Sequence, residues 1–201
     1  MRFGMTKAKM PLLGRVLVAI SALIAISAFF FPLWHYYLEA PQYREGLNMW
    51  IWLHKLTGQV YIINDLNHYV GFMKITEEMY WEFKVLPALT VILTLWGLWV
   101  AFTGSLRAFK WWFGYYILYA LFGLVDFYYR LWQFGHTVDP HAPIRIEGYV
   151  PPMFGEKQFM NFLIRSEPGA GFYVLVAGFL VAALALLVTW QAGKARRGAT
   201  A

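Results

Sequence analysis

The sequence predicts an all-α membrane protein: a four-transmembrane-helix bundle with both termini in the cytoplasm and an outer cap built from two long periplasmic segments. Three observations carry this reading. Hydrophobic residues make up 60% of the chain and charged residues only 14%, a balance foreign to soluble domains. Four apolar runs, at about residues 16–34, 85–103, 110–131 and 171–190, have the length needed to cross ~30 Å of hydrocarbon. Threading them with the N-terminus inside also sorts the charges. Arg2, Lys7, Lys9, Arg15, Arg107, Lys110, Lys194, Arg196 and Arg197 fall inside with no carboxylate, and every Asp, Glu and His falls outside. Lys/Arg bias in short flanks sets orientation, which puts the inner side in the cytoplasm of a bacterial inner membrane.

Each element follows from local pattern. The run at 16–34 is too long for a signal peptide, and Phe29-Phe30-Phe31-Pro32-Leu33-Trp34 offers no small-residue cleavage site. It is read as a retained helix. In the outer segment 35–84, residues 47–53 and 59–63 are strand-like, with Lys55-Leu56-Thr57-Gly58 as the turn of a short hairpin. Thr76-Glu77-Glu78 resembles a helix start that runs into the second span, with Pro87 near its entry. Residues 104–109 form a tight helix–helix turn, making the second and third spans antiparallel neighbours. The outer segment 132–170 carries Asp139-Pro140, Ala142-Pro143 and Pro151-Pro152 and is extended and turn-rich, with 155–165 as a short amphipathic interfacial helix. The basic tail after Gly193 is expected to be loose. The whole of 1–201 reads as one integral membrane domain.

Composition excludes several functions. Without cysteine there is no disulfide exchange, thiolate zinc site, iron–sulfur cluster or c-type haem attachment. The net charge of +6 is an orientation signal with some attraction for anionic membrane lipid, not a nucleic-acid footprint. Hydrolase, zinc-protease and phosphate-loop motifs are missing.

Three sets of residues invite chemistry. Aromatic clusters at 34–37, 50–52, 80–81, 111–112 and 128–132 read as interfacial belts, with a quinone or haem pocket as the alternative. Asp126 and Arg130 are four residues apart and share a helix face. They form either a local ion pair at the membrane edge or a site in which Asp126 points into the bundle to ligate or protonate something. The histidines His35, His54, His68, His136 and His141 share a compartment with Met49, Met73, Met79, Met153 and Met160, a donor mix suited to Cu(I). No pair has a helical metal-site spacing. For each histidine a structural hydrogen-bonding role is the competing reading.

The outer segments contain Ala40-Pro41-Gln42-Tyr43-Arg44-Glu45-Gly46-Leu47, Ile63-Asn64-Asp65-Leu66-Asn67-His68-Tyr69-Val70-Gly71-Phe72-Met73 and Tyr80-Trp81-Glu82-Phe83-Lys84-Val85-Leu86-Pro87. They also contain Gly135-His136-Thr137-Val138-Asp139-Pro140-His141-Ala142-Pro143-Ile144 and Tyr149-Val150-Pro151-Pro152-Met153-Phe154-Gly155. In these runs the chain resembles small four-span membrane proteins of clade II nitrous oxide reductase gene clusters (NosB-like). The resemblance implies an accessory role in denitrification: maturation of, or electron supply to, a periplasmic copper enzyme. The expected function is non-enzymatic. A docking surface with Trp50, Trp52, Asn67, Tyr69, Asp139, Pro151 and Pro152 would receive the copper enzyme, its chaperone or other membrane subunits. Cu(I) would be held transiently by His68, Met73, His136 and Asp126. The alternative is a subunit of a quinol-oxidising electron-transfer complex, with interfacial Trp/Tyr, Asp126 and His136 forming an outer-face quinol site.

Overall fold

The computed structural model of the protein describes residues 9–137, 141 and 148–198. In chain order these form α1 (Leu12–Ser27), β1 (Trp34–Ala40), β2 (Tyr43–Ile51), β3 (Leu56–Gly58), α2 (Val60–Val70), α3 (Glu82–Thr103), α4 (Leu106–His136), β4 (Gly155–Phe159), β5 (Phe162–Pro168) and α5 (Ala170–Gly198). α1 with its 3-10 extension to Phe30, α3, α4 and α5 are long and apolar enough to cross a membrane. The chain is nevertheless not all-α, because its five strands make one antiparallel sheet in the order β3-β2-β1-β5-β4. It divides into two compact units. A helical unit comprises Met1–Ser27, Ala88–Ala120 and Val174–Ala201, and a sheet unit comprises Ala28–Pro87 and Leu121–Tyr173.

The helical unit buries small residues of α1 and α5 together with Leu93, Phe109, Trp112 and Tyr116, and exposes other large apolar side chains. Val18, Ser21, Ala22 and Ala25 of α1 and Ala182 and Ala185 of α5 are buried, while Leu23, Leu95, Phe102, Leu118 and Leu180 are exposed. This is the packing rule for helices in lipid, where small residues allow close backbone approach and leucines face the acyl chains. A Cβ at Gly97 would press on Ala22 and Trp112. Hydroxyl and indole donors seek carbonyls across the interfaces: Ser21 Oγ to Gly178 at 2.7 Å, Trp112 Nε1 to Leu93 at 2.8 Å and Tyr116 OH to Leu175 at 3.0 Å. The turn between α3 and α4 needs Gly104 at φ +64, and Arg15 closes the end of α3 by donating to the carbonyls of Ala101 (2.7 Å) and Phe102 (2.6 Å).

In the sheet unit, β1 is central. Trp34, Tyr36 and Leu38 share a face with Ile51, Met49 and Leu47 of β2 and with Pro168, Ser166 and Ile164 of β5. That face packs on Val60, Ile62, Ile63 and Leu66 of α2 and on Phe127 and Leu131 of α4. Trp34 anchors it, with rings of Phe127, Phe154 and Phe172 at 4.7, 5.0 and 5.5 Å and its indole N–H on Ser166 Oγ at 2.8 Å.

Five local expectations are corrected. The first helix stops at Ser27, and Trp34 opens a strand instead of closing a span, because Pro32 cannot continue a helix and biases its predecessor toward extended backbone. Residues 59–63 enter α2, since Val60, Ile63, Asn67 and Val70 repeat at helical spacing; the hairpin partner of β2 is instead β3, with Trp52 N bonded to Lys55 O at 2.9 Å across the turn. The segment after Thr76 is only a 3-10 turn, Glu77–Met79, and extended Tyr80 separates it from α3. Residues 155–165 form the β4–β5 hairpin, where alternation of Phe162, Ile164 and Ser166 with Leu163, Arg165 and Glu167 prevails. The tail after Gly193 stays helical to Gly198. The proline-rich stretch at Asp139-Pro140 and Ala142-Pro143 lies outside the described residues.

Two glycines of α4 give a test. A Cβ at Gly135 would run into the backbone of Tyr149, whereas one at Gly114 meets nothing within 4 Å. Gly135→Ala should lose about 1–3 kcal/mol of stability, and Gly114→Ala should match or exceed the wild type. Thermal unfolding in detergent would read both, and equal melting temperatures would refute the Gly135 contact.

Candidate functional site

The first residue of α3 is a buried acid. Glu82 is 5% exposed, at the start of a 22-residue apolar helix. Its partner comes from α4: Arg130 donates through Nε to Glu82 Oε1 at 2.8 Å and through a terminal nitrogen to the same oxygen. The other terminal nitrogen donates to Gln133 Oε1 at 2.7 Å. The guanidinium also lies over the rings of Tyr80 (5.4 Å) and Tyr129 (6.0 Å), which suits a planar, weakly hydrated cation. Asp126 stands beside both Glu82 and Arg130. The ion-pair partner of Arg130 is thus Glu82, 48 residues away, and Asp126 joins the cluster through its interaction with both. Burial pushes the Tyr80 phenol up, and Arg130 draws it part of the way back. Glu82 Oε2 is buried outside the Arg130 contact, and Asp126 is the other hydrogen-bond partner of the Glu82 carboxyl.

A second polar cluster lies on the other face of the sheet. His35 Nδ1 meets Glu167 Oε1 at 2.9 Å, His35 Nε2 meets Asn48 Oδ1 at 2.9 Å, and the imidazole stacks on Trp50 at 3.7 Å. Register explains it: His35 sits opposite Trp50 on β2 and opposite Glu167 on β5. The imidazole ties three strands together, a structural use of histidine.

The residues nominated for copper lie on separate elements. His68 is exposed in the last turn of α2, Met73 is half-buried two residues beyond the left-handed cap at Gly71, and His136 is exposed in the last turn of α4. His136 Nδ1 lies 2.8 Å from the carbonyl of Trp132, which can only accept, so Nδ1 is the donor in that contact. Its ring stacks on Trp132 at 4.4 Å. Asp126 belongs to the Glu82–Arg130 cluster. Among the described residues, no three His, Asp or Glu gather closely enough to hold a metal ion.

The nominated docking residues divide. Trp50 is half-buried under its stack with His35, and Trp52 donates to Thr57 Oγ1 at 2.8 Å while Lys55 lies over its ring. Asn67 and Pro151 are buried, and the carbonyl of Pro152 accepts from Tyr36 OH at 3.0 Å. Tyr69 belongs to α2, and Asp139 is outside the described residues. Exposed apolar side chains of the sheet unit include instead Tyr61, Phe154 and Met160. Met160 has φ 51 in the two-residue loop between Phe159 and Phe162, a conformation costly for a side chain of that kind. A two-residue gap between two aromatic-flanked runs was the available sign of that hairpin. Nothing in the sequence links Glu82 to Arg130.

No protein-family model matches the chain, and no curated protein matches it.

Two predictions follow the chemistry. Arg130→Met leaves Glu82 buried beside Asp126 with its counter-charge gone, at a cost of about 3–5 kcal/mol; Glu82→Leu combined with Arg130→Met should recover most of it in a double-mutant cycle of melting temperatures. Tyr149, buried among Val70, Phe72 and Phe159, has its phenol pushed up to about 12 by burial. An unfolded tyrosine ionises near ~10, so the fold favours the neutral ring. That contribution is complete below pH ~10 and drains away as pH rises to about 12. Tyr149→Phe should therefore flatten the alkaline fall in melting temperature, and an identical slope in both proteins would refute it.

Proposed function

We propose that the chain is a non-enzymatic accessory protein of the bacterial cytoplasmic membrane, with both termini inside and its sheet unit in the periplasm. There it docks a copper enzyme of the nitrous oxide reductase type, or that enzyme's copper chaperone, in support of maturation or electron supply. The observation that carries this reading is the folded sheet unit itself. The two segments that resemble the NosB-like proteins are not linkers but a sheet with its own core around Trp34, Tyr36, Leu47 and Met49. Its edge strand β4 has no partner on its outer side among the described strands, and the adjoining Phe154 and Met160 are 56% and 53% exposed. Exposed large apolar side chains on a rigid hairpin are what a partner surface uses as anchors. The inner flanks of the four helices carry nine Lys and Arg and no carboxylate, which supports the orientation.

The copper part of the proposal rests on donor chemistry. His136 and His68 are exposed, and Met73 supplies a soft thioether nearby in sequence to His68. A transfer site needs weak, accessible ligands of this type more than a closed cage. In Cu(I) competition against a chromogenic chelator, detergent-purified protein should hold stoichiometric copper, and His68→Ala and His136→Ala should each weaken it about ten-fold. Capture by immobilised nitrous oxide reductase should persist in both variants and fail for Phe154→Asp. Copper retention equal to a detergent blank would remove copper from the function, and capture unaffected by Phe154→Asp would remove the hairpin from docking.

A further inference from the structure

The helical unit carries side-chain charge of one sign only. Residues 1–27, 88–120 and 174–201 hold nine Lys and Arg and no Asp or Glu, so no side chain of the unit can neutralise them. Four of the nine gather at the turn between α3 and α4. The backbone of Lys9 pairs with that of Ser105, and Met10 N donates to Gly104 O at 2.9 Å, which draws the chain ahead of α1 onto the turn. Arg15 lies against Gly104, where a Cβ would meet its Cδ at 3.1 Å and its Nε at 3.2 Å. Arg107 and Lys110 follow near the start of α4, both exposed, and the first turn of that helix has no acid to offset them.

Arg15 is the fixed member of this group. Its Nε donates to Ala101 O at 2.7 Å and one terminal nitrogen donates to Phe102 O at 2.6 Å, so two carbonyls pin the guanidinium. A guanidinium has five N–H groups. The carbonyls take two, and the three that remain, spread over both terminal nitrogens, have no partner among the described residues. A planar fork of this kind matches two oxygens of a phosphate. The turn also stands where lipid phosphates lie. At 1.5 Å per residue, α3 spans ~33 Å, about the thickness of hydrocarbon, which puts Gly104 at the membrane boundary. On either side of the turn Phe102 and Trp111 are 82% and 66% exposed, apolar rings at the level of the upper acyl chains. A small free anion has no use for such rings, and a phospholipid does.

We propose that the α3–α4 turn binds one anionic phospholipid, its phosphate on the fork of Arg15 with Lys9, Arg107 and Lys110 around it, and its acyl chains along Phe102 and Trp111. This differs from the diffuse attraction of basic flanks for an anionic leaflet, which is spread over all the cations and needs no fixed geometry. A zwitterionic head group carries the same phosphate, but its ammonium is repelled by the surrounding Lys and Arg, so the site selects net negative charge. The site is independent of the docking hairpin and of copper, and involves binding alone.

The test is native mass spectrometry of the full-length protein in a neutral detergent, titrated with phosphatidylglycerol or with phosphatidylcholine of the same chain length. Wild type should retain one phosphatidylglycerol per chain, about ten-fold more tightly than phosphatidylcholine. Arg15→Lys keeps the charge but removes the fork, and it should weaken phosphatidylglycerol about ten-fold. Arg107→Gln combined with Lys110→Gln should do the same, while Lys194→Gln combined with Arg196→Gln, an equal loss of charge in the tail, leaves the bound lipid in place. Excess inorganic phosphate should not displace it. Equal retention of the two lipids by the wild type, retention of neither, or full affinity in Arg15→Lys overturns the proposal. An equal loss in the two double variants would reduce the effect to diffuse charge, and displacement by phosphate would make the occupant a free anion; either result also overturns it. The comparison of lipids stands on the wild type alone, even if Arg15→Lys fails to fold.

Discussion

Hydrocarbon offers no hydrogen bonds, so every backbone polar group that enters it has to be paired by the chain itself. That constraint dictates the helical unit. Its four segments are helical throughout, and where a helix must stop at the Gly104–Ser105 turn, Arg15 covers the released carbonyls of Ala101 and Phe102. The same rule governs polar side chains. Thr94 bonds to the carbonyl of Thr90 at 2.9 Å, Thr90 shares its hydroxyl with Tyr119 at 2.8 Å, and Ser21 and Tyr116 reach carbonyls of α5. The five strands lie in the segments between the apolar helices, where the backbone finds its partners in a sheet.

Within the sheet unit, two kinds of polar contact have different consequences. His35 has a polar partner at each ring nitrogen and an aromatic face beneath it, so it acts as a cross-strand tie. Glu82 is a buried acid in an ion pair. Removing two charges from water is costly, and the pairing with Arg130 offsets that cost only where geometry and remaining lone pairs are satisfied. One oxygen accepts twice from Arg130, and Asp126 is a further hydrogen-bond partner of the same carboxyl.

The sequence made the membrane class readable because four long charge-poor runs leave few alternatives, and all four contain helices long and apolar enough to span, with ends that differ by several residues. The sheet was largely hidden. A run such as Val60-Tyr61-Ile62-Ile63 is equally apolar as a strand or a helix, and only the longer repeat through Val70 decides it. Residues 155–165 carry charges at spacings compatible with a helix, yet their neighbour is β1, more than a hundred residues earlier, and that pairing sets their period at two. The candidate site was half legible. Asp126 and Arg130 drew attention as charges in an apolar segment, whereas Glu82 looked like an ordinary acid at a helix start. Its burial comes from a tertiary contact that local pattern does not encode.

The central position of β1 also bears on how the protein is made. β1 and β2 emerge early and can pair at once, but the other edge of β1 waits for β5, 132 residues later at the Trp34–Ser166 contact. Two membrane helices are synthesised in the interval. Throughout it, a strand containing Trp34, Tyr36 and Leu38 presents an unpaired edge, the state most prone to pairing with another chain. The last strand to appear is thus the one that closes the most hazardous edge, so a ribosome stalled before Phe162 would release a chain poised to aggregate.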